Sequence, residues 1–472
     1  MTAIVKQKLS DSPRMRWMVL SVVAIPMMMA YFLTDVMAPL ETMLEAPAAE
    51  GGLGWPSSDY GVFSGAYGFI NVFLAMLFFG GVILDRMGIR FTGNLAGVLM
   101  IVGAVVKYYA IACMSPESAT YVNIPLIGGY TGLDHAIKDQ VLMASLGFAV
   151  FGMGAEIMGI TVTKAITKWF TGHELALAMG IQVALARLGT ACTFFVSVPV
   201  AKAFSLSTPV LLGTVLLIIG FLLWLVYDVL DIRLDRSDAH ANDVTAAGDD
   251  EKFHLGDLGL IFRNPGFWLI TAMCLCFYGG IFPFLKFATK LMVFKYGIDE
   301  TYAGWIPSLM PFGTILLTPL FGSVYDKLGK GASLMMIGSL VLTLVHVLFA
   351  LPVLETTWFA VVLVILLGVA FSLVPSALWP SVPKIIPIKQ LGSAYAIIFY
   401  IQNIGLTLIP MLIGTVIERH TEGGVPDFTV PMLTFAGFGG AAVLFALLLR
   451  YVDARKHYHL EEPNITKEEQ NI

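Results

Sequence analysis

The sequence predicts an all-helical integral membrane protein with twelve transmembrane helices in two pseudo-symmetric halves of six. Three observations support this prediction: the composition is strongly apolar, twelve segments are long enough to cross a bilayer, and one turn motif occurs twice. Of the 472 residues, 57% are hydrophobic and 13% are charged, whereas soluble domains carry roughly 25% charged residues. This composition disfavours a soluble enzyme.

The charge balance and the cysteines point away from several other functions. The 28 basic and 33 acidic residues give a net charge of -5, and no basic block of the kind that binds nucleic acid occurs. No nucleophile, phosphate-binding loop or zinc-protease pattern is present. We therefore expect no enzyme activity, cofactor, metal or nucleic-acid partner. Four cysteines lie in or beside apolar runs, and we expect them to be small buried side chains; they are Cys113, Cys192, Cys274 and Cys276.

Twelve apolar segments reach the length of about 20 residues that a helix needs to cross the hydrocarbon. Helices are expected there because only intrahelical hydrogen bonds satisfy the backbone in lipid. The first apolar run is too long for the core of a signal peptide. The predicted spans cover residues 17–40, 57–84, 91–112, 141–168, 175–204, 209–230, 265–290, 302–325, 332–351, 358–386, 391–417 and 431–451.

The basic residues predict the orientation and the division into halves. If the N-terminus is cytoplasmic, 20 of the 28 basic residues fall on cytoplasmic segments, as the positive-inside rule requires. Both termini are then cytoplasmic. We predict an N-terminal half over 1–230, a cytoplasmic linker over 231–263, a C-terminal half over 264–452 and a cytoplasmic tail over 453–472.

A short turn motif follows both the second and the eighth span. Glycine lets the backbone reverse, and the aspartate can accept hydrogen bonds from backbone N–H groups or from a basic side chain on a neighbouring helix. Such a turn could hold one face of the protein closed. The two copies are displaced by 241 residues and consist of Gly81, Asp85, Arg86 and Gly88, and of Gly322, Asp326, Lys327 and Gly329.

The chain resembles the major facilitator superfamily in three features: twelve spans, a repeat of six plus six, and this turn at corresponding places in both halves. The resemblance covers nearly the whole chain. It implies a transporter that binds its substrate near the membrane midplane, between two rocking halves.

Two opposite charges are predicted near the midplane. A charge inside a span costs at least ~2.5–3.5 kcal/mol, so it needs a partner or a function. Glu156 in the fourth span and Arg187 in the fifth reach similar depths, at a rise of about 1.5 Å per residue. One interpretation is a buried ion pair that joins the two helices without a ligand. The other is a carboxylate and a guanidinium presented to a solute that carries both charges.

A second pair of charges occupies equivalent places in the two halves. Aligning Trp17 with Trp268 displaces the first span onto the seventh by 251 residues, which carries Asp35 onto Lys286. Both lie toward the outer ends of their spans. We expect them to pair across these ends when the cavity opens inward and to separate when it opens outward. The alternative for Lys286 is snorkelling to the outer interface.

Longer sequence patterns occur in both halves. They are Gly154-x-Glu156, the run from Trp169 through His173-Glu174-Leu175 to Arg187-Leu188-Gly189, Ala377-Leu378-Trp379-Pro380, Gln390-Leu391-Gly392 and Ile401-Gln402-Asn403. These patterns resemble one branch of the superfamily, the lysosomal dipeptide uniporters named domain-containing protein 1. The resemblance implies dipeptide transport, with Glu156 facing the peptide's amine, Arg187 its carboxylate and Trp379 packing in the cavity. Trp379 could otherwise be a core aromatic, but Pro380 beside it predicts a local break in the tenth span.

Other functions remain open on the same fold. A transporter of organic anions or other small metabolites would carry several cations in its cavity and no central acid, so Glu156 argues against it. A receptor or scaffold would not need both turn motifs. The sequence leaves uniport and proton coupling open, because Glu156 could bind an amine alone or also titrate.

The location is predicted from sorting and glycosylation signals. Asn464-Ile465-Thr466, the one glycosylation triplet, falls in the predicted cytoplasmic tail. The N-terminus carries no acidic dileucine signal. The lysosomal branch resembles a two-component system with a glycosylated subunit, but no lumenal face here needs one. We expect a bacterial inner membrane without an accessory subunit, with a lysosomal membrane as the alternative.

Overall fold

The computed structural model describes residues 9–74, 76–125, 128–171, 173–239, 258–352, 354–387 and 390–463. Within these ranges eleven helices are long and apolar enough to cross a membrane. The second predicted span is the exception, because it is divided into the helix Ser57–Gly65, the 3-10 turn Ala66–Gly68 and the helix Phe69–Phe73, before Met76–Cys113 begins. Its glycines explain the interruption, since glycine is a poor helix former.

The other spans agree with their predicted positions. Helix Met76–Cys113 contains the end of the second span, the turn at Gly88 and the third span. The first span is Pro13–Asp35. The fourth to twelfth spans are, in order, Asp139–Phe170, Leu175–Ala203, Thr208–Ala239, Pro265–Tyr296, Trp305–Leu328, Gly331–Ala350, Thr357–Ile385, Leu391–Arg419 and Thr429–Lys456.

Short elements connect the spans. The side of the bundle on which Asp35 lies is called the outer side here, following the orientation predicted from the basic residues. The short helices are Leu9–Asp11, Ala38–Leu40, Glu41–Glu45, Ala48–Glu50, Gly128–Thr131, Leu258–Phe262 and Glu300–Ala303. The described part of the chain contains two antiparallel strand pairs, Ala119–Tyr121 with Ala136–Lys138 and Thr421–Glu422 with Val425–Pro426.

The sixth span continues beyond the predicted start of the linker at residue 231. Its extension is held by ion pairs to the third and fourth spans: Arg90 lies 2.9 Å from Asp235, and Lys168 lies 2.8 Å from Asp231 and 2.6 Å from Asp235. These bonds explain why a charged segment that reads as linker is helical up to Ala239. Residues 240–257 of the predicted linker and 464–472 of the predicted tail lie outside the described ranges.

The repeated turn has the same backbone requirement in both halves. Gly88 adopts φ 82° and Gly329 adopts φ 67°, a region that side chains other than glycine rarely enter. A Cβ on Gly81 or Gly322 would meet nothing within 4 Å. The last glycine of each motif is therefore the one that the turn needs. The side chain of Asp85 lies outside the described part of the structure.

The two halves cross closely where the second span meets the eleventh. A Cβ on Gly61 would touch the carbonyl oxygen of Pro410, and one on Gly65 would touch that of Thr407. A Cβ on Gly414 would in turn touch the carbonyl oxygen of Ser57. Small residues let membrane helices approach backbone to backbone, and here they set the contact between halves.

The cysteines differ in their burial. Cys274 and Cys276 are buried, as expected, and Cys192 is half-buried. The expectation is wrong for Cys113, which is exposed because it is the last residue of its helix.

Candidate functional site

A cavity of about 290 Å³ lies between the halves. The N-terminal half contributes Tyr31, Tyr67, Glu156 and Arg187 to its lining. The C-terminal half contributes aromatic and amide side chains; they include Tyr278, Phe282, Phe371, Trp379, Phe399, Gln402 and Asn403. All three residues predicted to bind substrate therefore line one cavity.

Glu156 is oriented by a tyrosine rather than by Arg187. The hydroxyl of Tyr67 donates to Oε1 of Glu156 at 3.0 Å. Glu156 and Arg187 do not form an ion pair within 4.0 Å, so the two predicted charges share the cavity without neutralising each other directly. This arrangement differs from the interpretation in which they join the fourth and fifth spans.

Arg187 reaches across to the C-terminal half. Its guanidinium lies 4.8 Å from the ring centroid of Phe371 and 5.5 Å from that of Phe282. Such cation–π contacts offset part of the cost of a partly desolvated cation. No carboxylate of the described residues lies within ion-pair distance of Arg187.

Trp379 forms part of an aromatic cluster in the cavity wall. Its Nε1 donates to the hydroxyl of Tyr278 at 3.0 Å, and its ring stacks on Phe399 with centroids 4.9 Å apart. The predicted helix break at Pro380 is wrong, since Thr357–Ile385 is one continuous helix. A different proline leaves a backbone carbonyl without its helical donor. Pro383 has no N–H to donate to the carbonyl of Trp379. The hydroxyl of Tyr395 donates to that oxygen instead, at 3.2 Å.

Asp35 and Lys286 meet at the outer end of the cavity. Nζ of Lys286 lies 2.5 Å from Oδ1 of Asp35 and 3.3 Å from the carbonyl of Thr34. Thr190 donates to the other carboxylate oxygen at 2.8 Å. The Lys286 side chain is only 14% exposed, so it does not snorkel to the interface. The structure brings together the two charges that the internal repeat placed at equivalent positions.

A second ion cluster lies just outside the first and was not predicted. Lys290 contacts Glu45 and lies 2.7 Å from Ser57 Oγ and 3.8 Å from Glu41. The signal was present in the sequence: Lys290 is four residues after Lys286 and so lies on the same helix face. It was missed because Glu41 and Glu45 fall beyond the predicted end of the first span. We call these four residues, Glu41, Glu45, Ser57 and Lys290, the outer cluster.

Comparison with known proteins identifies the family. Residues 20–293 and 285–467 match the family described as Major Facilitator Superfamily. The chain belongs to the Major Facilitator Superfamily. It is therefore a multi-pass membrane transporter and not an enzyme.

Within this superfamily, the chain is similar to proteins named lysosomal dipeptide transporter MFSD1. It is 28% identical to that of Bos taurus over 369 residues, covering 75% of this chain and 70% of the relative. It is 27% identical to that of Danio rerio over 401 residues, covering 82% of this chain and 77% of the relative. These distant similarities extend across both halves.

Solved structures of the same superfamily share the fold. The nucleoside transporter NupG aligns with a TM-score of 0.65 at 15% identity, covering 92% of this chain and 98% of that chain. The xylose transporter XylE from E. coli aligns with a TM-score of 0.60 at 15% identity, covering 92% and 99%. The predicted all-helical, multi-span membrane fold is confirmed.

Proposed function

We propose that this transporter moves dipeptides, as small zwitterionic solutes, across the membrane by alternating access. One observation carries the proposal: Glu156 and Arg187 line the same cavity without forming an ion pair with each other. Two opposite charges in a membrane protein are tolerated best when each has a partner, and a dipeptide offers a partner to both. The names of the MFSD1 relatives support the same substrate class.

The geometry suggests how each end of the peptide is recognised. Glu156, held by Tyr67, would accept from the ammonium group, and the planar fork of Arg187 would bind the carboxylate through two parallel hydrogen bonds. The rings of Trp379, Tyr278 and Phe399 would pack against the peptide's side chains. Aromatic walls with few polar groups suit varied side chains.

We propose that the Asp35–Lys286 pair, together with the outer cluster, is an outer gate. It closes when the cavity opens inward and separates when it opens outward, because its partners belong to different halves. On the opposite side, the two turn motifs with Asp85 and Asp326 would act as latches. The proposed location is a bacterial inner membrane, with a lysosomal membrane as the alternative.

A second candidate function is transport of organic anions or other small metabolites on the same fold. Arg187 and Lys286 both line the cavity and favour it. Glu156 opposes it, because a carboxylate in the cavity repels an anion.

Thermal unfolding with a matched set of ligands separates the two functions. We would compare a dipeptide, its N-acetylated form, its C-amidated form and a dicarboxylate. A ligand at about 100 times its dissociation constant stabilises the folded state by roughly 2.7 kcal/mol, and we expect this only with the free dipeptide. Equal responses to the three peptides would contradict recognition of both termini. A response to the dicarboxylate alone would favour the anion transporter.

A further inference from the structure

We propose that Lys107 is a positioning residue of the outer gate: it supplies the positive charge that holds Asp35 and the end of the first span when Lys286 withdraws. The inference rests on the proposed gate and adds a residue to it. Lys107 belongs neither to the proposed substrate-binding site nor to the ion pairs already described.

Lys107 is a fully buried cation in the third span, with 0% of its surface exposed. Its Nζ donates to the carbonyl of Leu33 at 3.0 Å and lies 4.7 Å and 5.6 Å from the ring centroids of Phe148 and Phe151. No carboxylate of the described residues lies within 4.0 Å of Nζ. A lysine buried in a span is costly, so this position requires a reason beyond packing.

The reason is the end of the first helix, which stops at Asp35. The last carbonyls of a helix lack intrahelical partners, and here three consecutive ones accept from three different spans. Thr193 of the fifth span donates to Phe32 at 2.7 Å, Lys107 of the third to Leu33, and Lys286 of the seventh to Thr34. Cations also interact favourably with the negative end of the helix dipole.

These three donors do not move together. Lys107 and Thr193 belong to the same half as Asp35, whereas Lys286 belongs to the other half. When the halves separate at the outer side, Lys286 leaves both the carboxylate of Asp35 and the carbonyl of Thr34. Lys107 and Thr193 stay.

The charge balance of this region therefore changes with the state of the gate. Lys107 donates to the carbonyl of Leu33, two residues before Asp35, while Lys286 donates to Asp35 itself and to the carbonyl of Thr34. With the gate closed, two lysines and one aspartate lie at the end of the first span; with the gate open, one lysine and one aspartate remain. Lys107 attracts Asp35 in both states but repels Lys286 only in the closed state. The loss of this repulsion favours opening.

The test measures gate opening without any substrate. Ala38 is 1% exposed, in the short helix Ala38–Leu40 that packs against the seventh span. Cys113 is exposed, so it is first replaced in a Cys113→Ser background. The substitution Ala38→Cys then introduces a thiol that a membrane-impermeant maleimide can reach from outside only when the gate opens. The rate of labelling therefore measures opening. We would compare Lys107→Gln, which keeps a hydrogen-bond donor but loses the charge, with Lys107→Arg, which keeps the charge.

We expect Lys107→Gln to slow the labelling on the order of tenfold, the scale of one buried charge interaction, and Lys107→Arg to label nearly as fast as the parent. In a Lys286→Gln background, Lys107→Gln should cause no further slowing, because no second lysine is left for Lys107 to repel. Thr193→Val, which removes the neighbouring uncharged donor, is the matched control and should leave the rate unchanged.

Equal slowing by Lys107→Gln with and without the Lys286 charge would overturn the proposal, since a purely structural role does not depend on that charge. If Lys107→Gln does not fold alone, Asp35→Asn should rescue it, and failure of the rescue would also overturn the proposal. The gate itself is tested separately: if Asp35→Asn does not speed labelling, the gate is wrong. If Asp35→Asn speeds labelling but Lys107→Gln changes nothing, only the role of Lys107 is wrong.

Discussion

Lys286 donates to Asp35 across the boundary between the two halves, at 2.5 Å, with both side chains largely buried. Removing one partner of a buried ion pair leaves an uncompensated charge and costs about 3–5 kcal/mol. Rigid-body separation of the halves must also break this bond. Under the proposed gate, this bond holds the outer side of the transporter closed.

The first prediction concerns this pair. Asp35→Lys or Lys286→Asp alone should reduce transport strongly, because each places two like charges together at the gate. The double swap should recover more transport than either single change, through the interaction energy of the pair. Uptake of a labelled dipeptide into proteoliposomes measures the effect. Losses that simply add would exclude a functional pairing.

The second prediction concerns recognition of the peptide's carboxylate. Arg187→Lys keeps the positive charge but loses the bidentate fork. It should therefore weaken binding of a free dipeptide more than binding of its C-amidated form. Dissociation constants for both ligands would be measured by calorimetry. An equal weakening of the two would argue that Arg187 does not contact the carboxylate.

The third prediction concerns recognition of the amine. Glu156→Gln should fold nearly normally, because Glu156 pairs with no cation that would be stranded. It should lose the preference for a free N-terminal amine over an N-acetylated one. Thermal unfolding of the variant with both ligands measures the two effects. A large loss of stability without any change in preference would indicate a structural role.

The fourth prediction concerns the threonines between the fifth and first spans. Thr190 donates to the Asp35 carboxylate and Thr193 to the carbonyl of Phe32. Hydrogen bonds to charged groups contribute about 1.5–3 kcal/mol and neutral ones about 0.5–1.5 kcal/mol. Thr190→Val should therefore destabilise the protein more than Thr193→Val, and Thr190→Ser should restore most of the loss. Unfolding temperatures in one detergent would give the order, and the reverse order would contradict the assignment.

The fifth prediction concerns the repeated turn. Gly88 lies at φ 82° and ψ 171°, a region that is essentially restricted to glycine and costs other residues about 1–3 kcal/mol. Gly88→Ala should lower stability by about that amount. Gly81→Ala is the control: it places alanine in a helix where nothing lies within 4 Å, and it should be neutral or stabilising. Similar effects of the two substitutions would show that the turn does not require glycine.

The positions of the spans could be predicted because lipid imposes a length and excludes charge. The same exclusion singled out Glu156, Arg187, Asp35 and Lys286, and the internal repeat indicated that Asp35 and Lys286 would meet. These arguments depend only on depth and on symmetry. They need no knowledge of which helix faces which.

What could not be predicted depends on tertiary contacts. In the sequence, Lys107 is only a lysine that interrupts an apolar run. The packed structure shows that its ammonium group donates to a carbonyl at the end of the first helix. Pro380 is expected to break a helix, yet the tenth helix continues through it. Pro383, further along, leaves the Trp379 carbonyl without an N–H donor, and Tyr395 supplies one instead. The glycines of the second span lower its helix propensity, but the sequence alone does not show that the helix is divided at Ala66–Gly68.

The glycine crossing between the second and eleventh spans has a consequence for the speed of the transport cycle. Interlocked side chains would have to withdraw and change rotamer before one half could slide past the other. At Gly61, Gly65 and Gly414 the nearest atoms across the crossing are backbone carbonyl oxygens, so few interlocked side chains need to move there. We therefore expect this crossing to resist sliding of the two halves only weakly, and the breaking of ion pairs at the proposed gate to set the timing of each turnover.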